Sequence, residues 1–203
     1  MTLARAERID LADFLDTLTP EQWQQQSLCS AWSVHDVVAH AISYEDHSQA
    51  EVFGRIRKAG FRPGRINDVA LEGYRDMTNE QLVVFLRSHL DPKGSTAKFD
   101  GRVGLADAVV HHQDIRRPLG LPRDIPEDRL RISLDFSVWA PPLRGFWHAR
   151  GVRMVATDLD WAHGRGPVAE GPAEAVLMAM VGRAGVAHEL SGPGADILAR
   201  RLG

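Results

Sequence analysis

The sequence holds a single cysteine, Cys29, among 203 residues. One thiol excludes an intramolecular disulfide and leaves no CxxC zinc knuckle, so a metal site here must use histidine and carboxylate. Long apolar runs are missing as well. No stretch approaches the ~18 residues of a membrane helix, and no charged segment followed by an apolar one opens the chain. The expectation is a soluble, cytoplasmic protein with no membrane partner. Charge of one sign is not in excess: 24 Lys and Arg stand against 27 Asp and Glu, a formal net charge of -3, which gives no general basic footprint for nucleic acid. No internal repeat occurs. Gly164-x-Gly166 lacks the third glycine and the strand–helix setting of a phosphate-binding loop.

What is present describes a globular protein. Hydrophobic residues make up 44% and charged residues 25%, enough for a sizeable core, and the length suits one large domain or a main domain with a small appendage. Leu3, Ile9, Leu11, Phe14, Leu15 and Leu18 set among charges fit an amphipathic helix. Thr19-Pro20-Glu21-Gln22 marks a short second helix, with an N-cap, a proline at the first helical position and a glutamine at the third. After Ser33, Val34, Val37, Val38, Ala41 and Ile42 recur at i, i+3, i+4, i+7 and i+8, which predicts a core helix running to about Lys58. Gly60–Arg75 reads as a loop with one short helical turn. Thr78-Asn79-Glu80-Gln81 is another capping box and starts a helix over Leu82–Leu90, stopped at Asp91-Pro92-Lys93-Gly94. A further helix carries Asp107 and His111 and ends at Pro118 and Gly120. Leu130, Ile132, Leu134, Phe136 and Val138 alternate as a strand would, but Pro126-Glu127-Asp128 reads as a helix start among helical neighbours, and helix is the expectation.

Ala149-Arg150-Gly151 divides the chain into residues 1–149 and 150–203. Beyond it Val152–Asp158 is β-branched and extended, Gly164–Pro167 is a turn, and Val168-Ala169-Glu170 is a second short strand. Ala173–Val181 and Ala195–Leu202 read as helices. The tail is a small α+β unit.

Candidate chemistry centres on Asp107-x-x-x-His111-x-x-Asp114. Steps of four and three place the three side chains along one line of a helix. A carboxylate and an imidazole one turn apart suit a shared divalent ion, and the next acid suits orienting the imidazole. Ordinary solvated acid–histidine pairs share that spacing. His40 lies at the flank of the apolar stripe beside Val37 and Tyr44, with His47 two turns on; it reads either as a ligand or as a buried, hydrogen-bonded histidine. Cys29 reads as a small packed side chain or as a thiol at the mouth of a pocket.

Two blocks are similar to a known family. Ala31-Trp32-Ser33-Val34-His35-Asp36-Val37-Val38-Ala39-His40 resembles the first metal-ligand motif of the DinB-like, mycothiol-dependent maleylpyruvate isomerases. Asp107–Ile115 resembles the second. Asp160-Trp161, Gly166-Pro167, Gly171-Pro172-Ala173-Glu174 and Gly182-Arg183 look like that family's small C-terminal domain. The resemblance implies an antiparallel four-helix bundle with a small C-terminal α+β domain, a divalent metal held by His40, Asp107 and His111 with open positions, and zinc as the ion those donors suit. It implies mycothiol as the thiol cosubstrate, a small electrophilic or acidic substrate, and Arg183 as an active-site arginine suited to carboxylates. The departure is Asp107, where the family pattern has glutamate. One methylene fewer withdraws the carboxylate by about 1.5 Å, so the ion must sit closer to this helix or bind more weakly, or Asp107 trades its role with Asp114 or His112. Isomerase and thiol S-transferase activity both fit, and so does a non-catalytic bundle that binds a metal or small ligand as a sensor.

Overall fold

The computed structural model describes residues 1–45, 49–60, 63–140, 143 and 145–203. His47 and the Pro141-Pro142 break lie outside the described residues. Contacts divide the chain into two compact units, Met1–Pro122 and Arg123–Gly203.

The first unit is helical: α1 Thr2–Leu15, α2 Pro20–Trp23, α3 Val34–Ile42, α4 Gln49–Lys58, α5 Pro63–Leu71, α6 Asn79–Ser88 and α7 Arg102–Leu119. α1, α3, α6 and α7 form the four-helix bundle; α7 packs on α1 and α3, and α6 packs on the same two. The expected caps form. Thr19, Ser33 and Thr78 each accept the backbone N–H three residues on, and Gln22, Asp36 and Gln81 reach back to the cap residue's own N–H. Each reciprocal pair satisfies two backbone donors at a helix start that would otherwise lack partners. Val34, Val37, Val38 and Ile42 pack into one core with Leu11, Leu15, Leu82 and Ile115.

Two expectations need correction. The helix from Ser33 does not run on to Lys58 but stops at Ile42. Ser43 N–H and Oγ both turn back to the His40 carbonyl, at 3.0 and 2.8 Å, and Arg55 Nη1 takes the Ser43 carbonyl at 2.8 Å. The groups that would continue the helix are thus used in closing it. Within Gly60–Arg75 the structure has a nine-residue helix, α5. Ala70 and Leu71 on it are buried, and α5 packs on α3 and α4. Tertiary burial of a short apolar face outweighs the loop-like composition of the segment.

In the second unit, α8 Glu127–Trp139 confirms helix over the alternating segment. α9 Gly145–His148 follows, then β1 Arg153–Ala156, β2 Ala162–His163 and β3 Val168–Gly171 in sheet order β2-β1-β3. β1 pairs antiparallel with β2, Met154 opposite His163, and parallel with β3, Met154 opposite Ala169. α10 Ala173–Met180, a 3₁₀ turn at Val186–Glu189 and α11 Pro193–Leu202 complete it. α8 packs on α9 and α10, and Trp161 Nε1 donates to Asp135 Oδ1 at 2.8 Å. By contacts, therefore, the chain divides at Pro122, ahead of the expected break at Gly151, because α8 shares its core with the tail.

The first unit also buries charge. Arg8 donates to Glu45 Oε1 and to the His89 carbonyl, both at 2.6 Å, with its side chain 6% and that of Glu45 2% exposed. Thr96 Oγ1 and the Lys93 N–H also donate to Glu45. Glu45→Ala leaves a guanidinium buried without its carboxylate and should cost about 3–5 kcal/mol in urea unfolding. Arg87→Ala removes exposed pairs to Asp13 and Asp16 and should cost no more than about 1 kcal/mol in the same measurement.

Candidate functional site

α7 is buried almost all round: every residue from Ala108 to Ile115 is inside. Four consecutive polar side chains, His111 to Asp114, are therefore buried in a row, and each needs partners. His112 faces α1. Its Nε2 accepts from Arg116 Nε at 2.8 Å, so Nδ1 carries the proton and donates to Glu7 Oε1 at 3.0 Å. Both His112 and Glu7 are fully buried. His112 is thereby committed to bundle packing and does not exchange roles with Asp107.

His111 faces α3. Its ring centre lies 5.1 Å from that of His40, with the planes perpendicular. Nδ1 donates to Asp114 Oδ2 at 2.9 Å, and Nε2 lies 3.5 Å from Asp107 Oδ1. The acid three residues on orients the imidazole, as the spacing predicts, and Nε2 is the nitrogen turned toward Asp107. Trp32 lies across His40 with ring centres 4.5 Å apart, and Tyr44 meets His40 edge-on at 5.3 Å. Tyr44 donates to Asn67 Oδ1 at 3.0 Å. Cys29 Sγ is 3.4 Å from Asp114 Oδ2, and Cys29 is partly buried against the core.

Charge follows this geometry. Burial works against an imidazolium at His111, but the Asp107 carboxylate and hydrogen bonds to Asp107, Asp114 and Cys29 lift its pKa well above the ordinary value. Burial likewise works against an ionised Asp107, yet the charge and hydrogen bond of His111, with His40 and Arg8 further off, hold its pKa below the ordinary value. Burial raises the Tyr44 hydroxyl, and the Asp107 charge adds to the effect. The result is a compact site in which the Asp107 carboxylate faces His111, with the His40 ring beside it.

The donors suit a divalent ion in type and in two of their spacings. Imidazoles sharing a tetrahedral ion have ring centres about 5 Å apart, and a carboxylate oxygen and an imidazole nitrogen on one ion lie about 3.4 Å apart. His40, Asp107 and His111 do not, however, bring three donor atoms mutually within 4.8 Å; among the described residues Cys29, His111 and Asp114 do. Arg183 belongs to the second unit. It follows Gly182, whose φ of 84° closes α10 with Gly182 N–H to the Ala179 carbonyl and Arg183 N–H to the Met178 carbonyl, both at 3.0 Å. This is a Schellman end. The His148 ring packs where a Cβ on Gly182 would stand.

Of the residues around the histidines, Trp32 belongs to the first motif, and the sequence offers Cys29 as a thiol at a pocket mouth and Tyr44 as a neighbour of His40, while Asn67 carries no signal there as a site residue. An open groove of about 590 Å³ lies away from the histidine pair, lined by Asp10, Asp13, Phe14, Thr17, Arg116 and Leu121 among others. Arg116 there is already committed to His112, to the Leu121 carbonyl and to the Phe14 ring. Among the described residues no helix is long and apolar enough to cross a membrane.

The sequence profile of the mycothiol maleylpyruvate isomerase N-terminal domain matches residues 4–92, a span that includes His40 and stops short of Asp107. No curated protein matches the chain in sequence. Among solved structures it is similar to a crystal structure of a mycothiol-dependent maleylpyruvate isomerase, with TM-score 0.56 and 12% identity, over 96% of this chain and 91% of the other. A histidine-to-alanine variant of a mycothiol-dependent maleylpyruvate isomerase gives TM-score 0.58 and 14% identity over the same shares. Over residues 4–92 the chain is thus similar to the mycothiol maleylpyruvate isomerase N-terminal domain, and across nearly its whole length it has the fold of those solved isomerases.

Proposed function

We propose that this chain is a metal-dependent enzyme that uses mycothiol as a cosubstrate and acts on a small electrophilic or acidic substrate, as an S-transferase or an isomerase. His40, Asp107 and His111 would hold the ion, and zinc suits two imidazoles and a carboxylate with positions left open. The observation that carries the reading is the meeting of His40 and His111 from separate helices at 5.1 Å, with Asp107 Oδ1 3.5 Å from the outward nitrogen of His111. When bound, a divalent ion lowers the pKa of a coordinated thiol and holds it as a thiolate nucleophile.

The chain's own residues contribute orientation and dryness. Asp114 fixes the His111 tautomer by accepting from Nδ1, which leaves Nε2 as the donor atom. Trp32 covers one side of His40 and keeps water from that side of the ring. Arg183 supplies a planar fork for the carboxylate of an acidic substrate. The looser spacing of the three donors favours a second reading, a bundle that binds metal without turnover, and thiol consumption separates the two.

With Cys29 replaced by serine so that no thiolate competes, purified protein should contain close to one zinc per chain by elemental analysis, and adding His40→Ala or Asp107→Ala should lose it while helical circular dichroism is retained. Asp107→Glu should tighten zinc in a chelator competition, because the extra methylene brings the carboxylate toward the histidines. Full metal retention in the Cys29→Ser protein that also carries His40→Ala would sink the ligand assignment. With mycothiol and a panel of electrophiles, the native protein should consume thiol; zinc-loaded protein that consumes none with any of them would leave the binding-only reading. Arg183→Lys keeps the charge but loses the fork. It should slow turnover of an acidic substrate at least about tenfold, or roughly 1.4 kcal/mol, with zinc affinity unchanged.

A further inference from the structure

His111 has two nitrogens, and the Nδ1 side carries a donor set that the reading above leaves unused. Cys29 Sγ, His111 Nδ1 and Asp114 Oδ2 crowd one point: sulfur to oxygen is 3.4 Å and nitrogen to oxygen 2.9 Å, and the three residues offer donor atoms all within 4.8 Å of one another. Around a four-coordinate zinc-like ion those edges would be about 3.6 and 3.4 Å. These two edges are therefore within roughly half an ångström of the spacing a shared ion needs, and they are held by two hydrogen bonds whose protons a cation would replace.

The surroundings are built to keep this arrangement. Asp114 is fully buried and His111 is 7% exposed, on the central helix of the bundle. The loop bearing Cys29 is tied to that helix by Leu28 N–H donating to the Asp114 carbonyl at 2.9 Å. Cys29 N–H donates to Ser27 Oγ at 3.1 Å, and Gln26 Nε2 donates to the Cys29 carbonyl at 2.8 Å. Cys29 itself is only partly buried, which gives an ion a way in and leaves a coordination position toward solvent.

We infer that Cys29, Asp114 and Nδ1 of His111 form a site for a thiophilic divalent cation. Thiolate, imidazole and carboxylate together select zinc, cobalt or cadmium over magnesium or calcium. The proton balance is simple. The Cys29 thiol and Nδ1 of the His111 imidazolium each release a proton to solvent, and Nε2 keeps its own proton facing the Asp107 carboxylate. A neutral His111 serving this ion then has no lone pair on Nε2 for another, so this site and one at His40 and Asp107 exclude each other. The inference does not rest on catalysis at that other site.

The test is a cobalt(II) titration of metal-free full-length protein, with a phosphine in place of thiol reductants. Wild type, His40→Ala and Cys29→Ser are compared. His40→Ala removes the competing position, so it should show an intense near-ultraviolet sulfur-to-cobalt charge-transfer band that saturates at one ion per chain. Cys29→Ser should lack the band, and Asp114→Asn should raise the cobalt Kd on the order of tenfold. Visible cobalt absorption in wild type without the sulfur band, but with the band in His40→Ala, supports both sites with the His40 position preferred. No sulfur band in either wild type or His40→Ala at saturating cobalt overturns the inference, whatever becomes of the His40 site. Should His40→Ala fail to fold, the milder His40→Gln takes its place: saturating cadmium(II) should slow alkylation of Cys29 by N-ethylmaleimide more than tenfold in that variant, and an unchanged rate overturns the inference equally.

Discussion

Four polar residues buried in succession on one helix constrain the rest of the first unit. His111, His112, Gln113 and Asp114 lie inside α7, and a buried polar group without a partner costs on the order of 1–3 kcal/mol. Each side of the helix must therefore meet a matching group on a neighbour. Toward α1 the match is Glu7, with Arg116 one turn along completing the His112 ring. Toward α3 and the loop before it the matches are His40 and Cys29. Two adjacent histidines thus do opposite work. His112 is closed on both nitrogens by protein groups, while His111 is held at Nδ1 and turns Nε2 toward a carboxylate at 3.5 Å, the longer of its two carboxylate contacts.

The same logic explains why the bundle tolerates so much internal charge. Arg8 and Glu45 sit at low exposure, with the His89 carbonyl, the Lys93 N–H and the Thr96 hydroxyl filling out their hydrogen bonds. A pair of this kind adds little net stability over an apolar one, but it sets α1 against the residues after α3 in one arrangement. Glu45 is also where the chain leaves α3. The early end of that helix and the buried pair are one structural event: the turn at Ser43–Glu45 delivers the carboxylate to Arg8 and leaves Tyr44 beside His40.

In the second unit a short sheet and α10 make a separate core. α10 is apolar and buried on all sides, as Ala-Val-Leu-Met-Ala-Met requires. Its end is fixed by left-handed Gly182 under the His148 ring, and His148 Nδ1 donates to the Met180 carbonyl at 2.8 Å. The backbone of Arg183 is therefore set by the helix terminus before it and the ring packed over Gly182.

Local signals in the sequence determined much of this. Capping boxes at Thr19, Ser33 and Thr78, the apolar stripe from Val34 to Ile42, and the glycine stop after Leu119 are properties of a few consecutive residues, and the helices start or end where those residues require. The order of Trp32–His40 and Asp107–Ile115, with the glycine-proline tail, determined the resemblance to the isomerase family, and the four-helix bundle came with it. Tertiary structure decided what local patterns leave open. The spacing of Asp107, His111 and Asp114 placed them on one helical line, but only the packing of α7 between α1 and α3 assigned His112 to Glu7 and turned His111 toward His40. The stop at Ile42 depends on Arg55 reaching a carbonyl twelve residues back, and α5 depends on a face buried against α3 and α4, contacts that no local composition encodes. Cys29 joined Asp114 from 85 residues away for the same reason: burial obliges distant polar groups to find one another, and which ones meet is settled by the fold.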